Sequence, residues 1–386
     1  MAALVGEEGV NLLHNLAECD DTFVMRRALS DCPDVVDIMA AGTAMRFLTS
    51  YYATTPGSRV ITGTERMRNR PIALLVDALR SLGADIEYTE REGFPPLRIV
   101  GKSLRGGNIE LPASVSSQYI SSLLMIAPLL TGGLRLTLTG GIVSRSYIDM
   151  TLALMRSFGA NAEWQGQNVI VVDEGRYTRT EMFLVESDWS AASYWYEVVA
   201  LSTAADTTIR LDGLHRDSLQ GDACVATLFE PLGVHTAWTA DGVLLTKTRR
   251  TAERVDTDMT LCPDLAQTLV VACAVLGVPF RISGLQSLRI KETDRIAALQ
   301  TELDKMGFDI IETSPGTLEW NGERSRPSDD IIYIDTYEDH RMAMAFAPAA
   351  FAFDGLRVRH PEVVTKSYPG FWEELRKVGF NITSEE

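Results

Sequence analysis

The heptapeptide IKETDRI packs Lys291, Glu292, Asp294 and Arg295 into five positions beside an apolar segment. Paired, buried charges explain that density better than loose solvation does. Asp264 follows Pro263 and opens the apolar run LAQTLVVACAVL. A carboxylate there complements a helix dipole, and one that enters a cleft can also serve as a general base. TYEDHRMAM adds Asp339, His340 and Arg341, and VTKSYPGF adds Lys366. Lys291, Arg295, Arg341 and Lys366 thus form a cationic set in the same half as the candidate base Asp264.

The first half carries a second set. AAGTAMRF places Gly42 and Thr43 before Arg46, which is either a tight turn with Arg46 in solvent or a helix N-terminus able to hold an anion. TGTERMRNRP brings Arg66, Arg68 and Arg70 to alternate positions, and an extended backbone there is expected to point all three to one face. In ASVSSQY, Ser116, Ser117 and Gln118 precede an apolar helix that the serines can cap, or where they can bind phosphate. SRSYIDM repeats the arrangement with Ser144, Arg145 and Tyr147. Two cationic sets in separate halves imply a cleft that closes on an anion.

Composition narrows the chemistry further. The formal net charge of −16 repels polyanions and anionic membranes, so no nucleic-acid or membrane partner is expected. Five histidines without an HExxH pair, and five cysteines without a CxxC pair, give no metal-site pattern. Neither a Walker A sequence nor a dinucleotide glycine fingerprint occurs, and no cofactor is expected. Apolar runs are too short to span a bilayer and no secretory signal opens the sequence, which is expected to place the protein in the cytoplasm; a monomer is expected.

These residues need a scaffold, and the sequence repeats one. An amphipathic helical stretch, a glycine and a short strand recur around Gly83, Gly159, Gly233 and Gly307, with a degenerate copy around Gly379. Successive glycines lie 76, 74, 74 and 72 residues apart, the mark of a duplicated unit. Each glycine suits a left-handed position after the last helical turn. Units this long, holding both helices and strands, build globular α/β lobes rather than a solenoid. The boundary is expected near residues 185–190, giving lobes 1–187 and 188–386. The opening MAALVGEEG reads as a helix fragment without a preceding strand, so the first unit is expected to be incomplete.

AGTAMR, RMRNRP, SSQY, PDLAQT, KETDR, DHRMAM and TKSYP, in this order, resemble the successive signatures of the 5-enolpyruvylshikimate-3-phosphate (EPSP) synthase family. The resemblance implies a two-domain inverse α/β fold of repeated βαβαββ units, as in enolpyruvyl transferases. It also implies transfer of the enolpyruvyl group of phosphoenolpyruvate to the 5-hydroxyl of shikimate 3-phosphate, with release of phosphate, on the route to chorismate and aromatic amino acids. By resemblance, Ser116, Ser117, Ser144 and Tyr147 hold shikimate 3-phosphate and Lys291 approaches it. Arg66, Gln118, Arg295, Arg341 and Lys366 surround phosphoenolpyruvate. Asp264 orients or deprotonates the attacking hydroxyl, Glu292 exchanges a proton with the methylene carbon, and Lys366 joins them in catalysis. Gly42, shaped by Thr43 and Arg46, lies where phosphoenolpyruvate and glyphosate bind.

Family members also carry a strand and a Lys-Ser segment followed by an arginine ahead of the first helix, and these 386 residues offer no match for it. By resemblance, that segment supplies a lysine near the reacting centre and two groups for shikimate 3-phosphate, so little transfer is expected without it. A ligand-binding homologue without catalysis, and an enolpyruvyl transferase acting on a nucleotide sugar, are the alternative readings.

Overall fold

The recurring glycines end helices as their spacing requires. Gly83, Gly159, Gly233, Gly307 and Gly379 have φ of +94°, +95°, +93°, +88° and +101°, a region that costs a side chain strain but glycine little. The computed structural model describes residues 1–5, 9–113, 116–142 and 145–384. The chain divides into two units, Met1–Val185 and Glu186–Glu386.

The first unit holds two four-stranded sheets of one design. In one, the strands follow the spatial order Val35–Asp37, Gly57–Thr62, Leu97–Gly101 and Asp85–Tyr88. In the other, the order is Arg105–Pro112, Thr131–Thr139, Val169–Val172 and Ala162–Gln165. The first pair of each sheet is parallel and the rest antiparallel. A parallel pair needs a crossover, and helices α1 (Gly42–Thr54) and α2 (Ser117–Ile126) supply it. A second helix precedes the antiparallel strands, Ala73–Ser81 in one repeat and Arg145–Ser157 in the other. Each repeat is therefore βαβαββ.

The second unit contains a third such sheet, ordered Val255–Asp258, Phe280–Ser283, Thr317–Trp320 and Ile311–Ser314. Beside it are a three-stranded antiparallel sheet from 208–247 and a parallel pair, Tyr333–Ile334 with Arg357–Val358. Its helices include α3 (Trp189–Leu201), α4 (Ala266–Leu276), α5 (Arg295–Lys305) and α6 (His340–Phe346). Helix α4 is buried from Ala266 to Ala274, and Leu269, Val270, Val271, Ala272 and Cys273 are fully buried, each large side chain contributing roughly 1.5–3 kcal/mol. Helices α3, α4 and α6 pack on one another. This packing brings their polar N-terminal ends to one place. By contrast α5 is amphipathic, burying Ile296, Leu299 and Leu303.

Three expectations need correction. The RMRNR stretch is not extended, because Thr64 accepts a hydrogen bond from Met67 N at 3.3 Å and starts the helical turn Glu65–Arg68. The strand after Gly307 begins only at Ile311, Phe308 making a lone bridge to Arg324. No strand follows Gly379 among the described residues. Also among these, no helix is long and apolar enough to cross a membrane.

Candidate active site

In the first unit the site is built around Gly42, the first residue of α1. A Cβ at this position would stand 2.8 Å from Arg70 Nη1 and 3.0 Å from Arg46 Nη1, so only glycine leaves both guanidinium groups in place. Arg46 is buried, donates through Nη1 to Gly42 O at 3.0 Å and lies 5.8 Å from the centre of the Tyr119 ring. Gln118 Nε2 donates to Thr43 Oγ1 at 3.0 Å, tying the start of α2 to the start of α1. Ser116 caps α2, accepting from Gln118 N at 3.3 Å, and Ser117 is half-buried beside it.

The three arginines of the RMRNR turn part ways. Arg70 reaches Gly42, Arg68 pairs with Glu90 at 3.1 Å on the surface, and Arg66 is exposed. Tyr147 is half-buried in the helix Arg145–Ser157, where its carbonyl accepts from Thr151 Oγ1 at 2.9 Å. Arg145 donates to Gln167 O at 3.1 Å and covers the Trp164 ring. Ser144 lies outside the described residues.

In the second unit Arg295 is the hub. Its side chain is 2% exposed, and it donates to three carboxylates: Nε to Asp339 Oδ2 at 2.7 Å, Nη1 to Asp264 Oδ1 at 2.9 Å and Nη2 to Glu292 Oε2 at 2.9 Å. Asp339 caps α6, accepting from Arg341 N at 2.9 Å. Asp264 also meets Lys291 Nζ at 3.3 Å and Arg341 Nη2 at 3.5 Å, and Glu292 meets Lys366 Nζ. The chain folds so because Asp264, Asp339 and Arg341 start the packed inner helices, while Glu292 and Arg295 bracket the cap of α5.

The electrostatics follow. Burial raises Asp264, but Lys291, Arg341 and Arg295 outweigh it and hold its carboxyl well below the usual range. Glu292 is likewise raised by burial and pulled down further by Arg295 and Lys366. Burial, then Lys366, push His340 down to about 3, leaving a neutral ring whose Nδ1 is buried without a hydrogen-bond partner among the described residues. Both carboxylates are therefore ionised and clamped by cations. An anionic ligand that draws those cations away would make each a stronger base.

Lys291, Asp264, Glu292, Arg295, Arg341 and Lys366 thus come together as one cluster within this unit. Gly42, Thr43, Arg46 and Gln118 come together in the other. Arg70 is expected as one of three anion-facing arginines but not as the neighbour of Gly42, Asp339 carries no expected role, and Ser190 and Asp222 match no motif. Ser190 Oγ donates to the buried Asp222 and accepts from Arg341. Among the described residues no group of three or more metal-ligating side chains is placed to hold a metal ion.

Repeated βαβαββ units carrying clustered cations and two clamped carboxylates define an α/β protein suited to proton transfer on a small, multiply charged anion. The EPSP synthase family, described as 3-phosphoshikimate 1-carboxyvinyltransferase, matches residues 7–375. A 3-phosphoshikimate 1-carboxyvinyltransferase of Bacteroides fragilis is 56% identical over 375 residues, covering 97% of this chain and 90% of its own. One from Shewanella halifaxensis is 38% identical over 351 residues, covering 89% and 79%. The solved EPSP synthase of Acinetobacter baumannii shares the fold, with a TM-score of 0.73 at 22% identity over 95% of this chain and 89% of that one. The chain belongs to the EPSP synthase family.

Proposed function

We propose that the protein transfers the enolpyruvyl group of phosphoenolpyruvate to the 5-hydroxyl of shikimate 3-phosphate. The hydroxyl oxygen attacks C2 while its proton leaves and C3 gains a proton, forming a tetrahedral adduct. The C2–O bond to phosphate then breaks and C3 gives up a proton, restoring the double bond. The observation that carries this reading is the double clamp: Asp264 among Lys291, Arg295 and Arg341, and Glu292 between Arg295 and Lys366.

Asp264 takes the hydroxyl proton, and Glu292 with Lys366 serves C3. Substrate phosphates and carboxylates compete with Asp264 and Glu292 for the cations, so each base strengthens when its substrate arrives. In the second unit Arg341 and Lys366 hold phosphoenolpyruvate, Lys291 approaches shikimate 3-phosphate, and Arg295 joins only by exchanging one of its three carboxylates. In the first unit Ser116, Ser117, Ser144 and Tyr147 hold shikimate 3-phosphate, and Gly42, Thr43, Arg46, Gln118 and Arg70 serve phosphoenolpyruvate, with the exposed Arg66 as a further cation. The same Gly42 surroundings bind glyphosate, and the protein works as a cytoplasmic monomer.

Turnover in D2O tests the addition–elimination route. Deuterium is expected in the vinyl group of the product, and Glu292→Gln is expected to slow its entry by about 10²-fold or more. Product free of deuterium would exclude protonation at C3.

A further inference from the structure

Arg341 is also held from behind, by groups the chemistry above leaves unused. Ser190, in the first turn of α3, accepts from Arg341 Nη2 at 3.4 Å and donates through its own hydroxyl to Asp222 Oδ2. Asp222 sits in the short 3-10 turn Gly221–Cys224 and is 3% exposed.

Backbone ties fix this corner. Asp188 caps α3, accepting from Ser190 N at 2.8 Å. Gln220, just ahead of the turn, accepts from Trp189 N at 2.9 Å and donates to Ser187 O at 2.8 Å. The turn and the start of α3 therefore form one hydrogen-bonded block, and the Ser190 hydroxyl has a set place in it.

A serine hydroxyl has one proton to give. With that proton committed to an ionised Asp222, the Oγ lone pairs are left to accept from Arg341. Protonation of Asp222 removes the demand that fixes this direction. We propose that Asp222, acting through Ser190, is a positioning residue that sets the Arg341 guanidinium for the anionic part of phosphoenolpyruvate. This rests on the assignment of Arg341 to that substrate.

Among the described residues, the charged groups facing Asp222 include Asp188 at the start of α3, Asp264 in the turn Pro263–Leu265 and Arg341 on α6. The nearby Cys262 thiol is neutral, raised by its contact with Cys224 and by burial. Burial first, then the charge of Asp264, push the Asp222 carboxyl up to about 6, against the pull of Arg341 and Ser190. The relay is thus intact at neutral pH and lost as the pH falls through about 6.

The test measures kcat and KM for phosphoenolpyruvate from pH 5 to 8 in the native protein, Asp222→Asn, Ser190→Ala, their double variant and Arg341→Lys. At pH 7.5 each single relay variant is expected to raise KM about fivefold with kcat within about twofold, the size of one ordinary net hydrogen bond. The variant-to-native KM ratio, in which titration of the substrate itself cancels, is expected to fall toward one at pH 5. The double variant is expected to match the singles, because both cut the same relay.

Arg341→Lys is expected to raise KM at least about tenfold, since lysine cannot reproduce the planar fork. An unchanged KM in Arg341→Lys would overturn the assignment of Arg341. A raised KM there, with Asp222→Asn unchanged, a ratio flat with pH, or losses that multiply in the double variant, would overturn the relay alone. Circular dichroism checks folding, and Ser190→Ala, which leaves the buried carboxylate in place, decides the matter if Asp222→Asn does not fold.

Discussion

Replacing Arg295 with methionine keeps most of the side-chain volume and removes the cation shared by Asp264, Glu292 and Asp339. The three acids do not lose equally. Asp264 keeps Lys291 and Arg341 at 3.3 and 3.5 Å, and Glu292 keeps Lys366. Asp339, 0% exposed in its side chain, keeps the Arg341 backbone N–H beside the neutral ring of His340. The loss therefore concentrates on one buried carboxylate, and removing one partner of such a pair costs about 3–5 kcal/mol. For a unit of this size each kcal/mol moves Tm by about 2–4 °C, so a fall of roughly 6–20 °C is expected at pH 7.5.

The pH dependence has a definite sign. Burial raises Asp339 in the native protein but the charge and hydrogen bonds of Arg295 hold the carboxyl below its usual range, so its stabilisation persists down to the ordinary carboxylate range and is lost only as pH falls further. Without Arg295, burial raises this carboxyl, and a proton can replace the lost cation. The Tm deficit is then expected to shrink between pH 7.5 and pH 5. Thermal unfolding followed by circular dichroism at both pH values reads it. A Tm within about 2 °C of native at pH 7.5, or an equal deficit at the two values, would refute the hub role of Arg295.

Glu197 on α3 is fully buried with neither oxygen hydrogen-bonded by protein among the described residues, and burial keeps its carboxyl protonated. Glu197→Met is expected to stabilise the fold by about 1–3 kcal/mol. In the native protein this raised group makes stability fall as pH rises above about 4.3, and urea unfolding at pH 5 and pH 8 should find that slope missing in the variant. Gly42→Ala puts a methyl group against the tips of Arg70 and Arg46, which can swing aside, so KM for phosphoenolpyruvate should rise about tenfold while Tm stays within about 2 °C. Unchanged steady-state kinetics would remove Gly42 from the site. Asp264→Asn is expected to cut kcat about 10²- to 10⁴-fold and to alter shikimate 3-phosphate affinity, read by calorimetry, far less. Equal losses in both would make Asp264 a binding group only.

The scaffold was legible because its signals are local. A glycine after the last helical turn needs no distant partner to declare itself, and Gly83, Gly159 and Gly307 each follow a helix of the anticipated kind. The copy around Gly233 has a shorter helix, Val225–Phe229, behind the turn that carries Asp222. The carboxylates Asp264 and Glu292 were legible as charge crowded against apolar sequence. The alternate spacing of Arg66, Arg68 and Arg70 misleads because it presumes an extended backbone, although Thr64 before Glu65 is a capping signal that announces a helical turn. The saturation of Arg295 could not be read, since its three acceptors come from segments up to 44 residues away and meet only when the inner helices pack. Asp222 has even less signature, being a lone acid in a short turn whose meaning depends on Ser190, 32 residues earlier.

The central claim is enolpyruvyl transfer between two anions, and phosphate release by the purified monodisperse protein tests it most directly. Released phosphate is counted with shikimate 3-phosphate and phosphoenolpyruvate together and with each omitted in turn, while 31P NMR follows the two substrates. Contrary to the little transfer that the unmatched Lys-Ser segment leads one to expect, the account expects release, and only when both are present, one phosphate for each phosphoenolpyruvate consumed, with the 3-phosphate of the acceptor intact. Release from phosphoenolpyruvate alone, loss of the 3-phosphate, or no release with both substrates at saturation would contradict it.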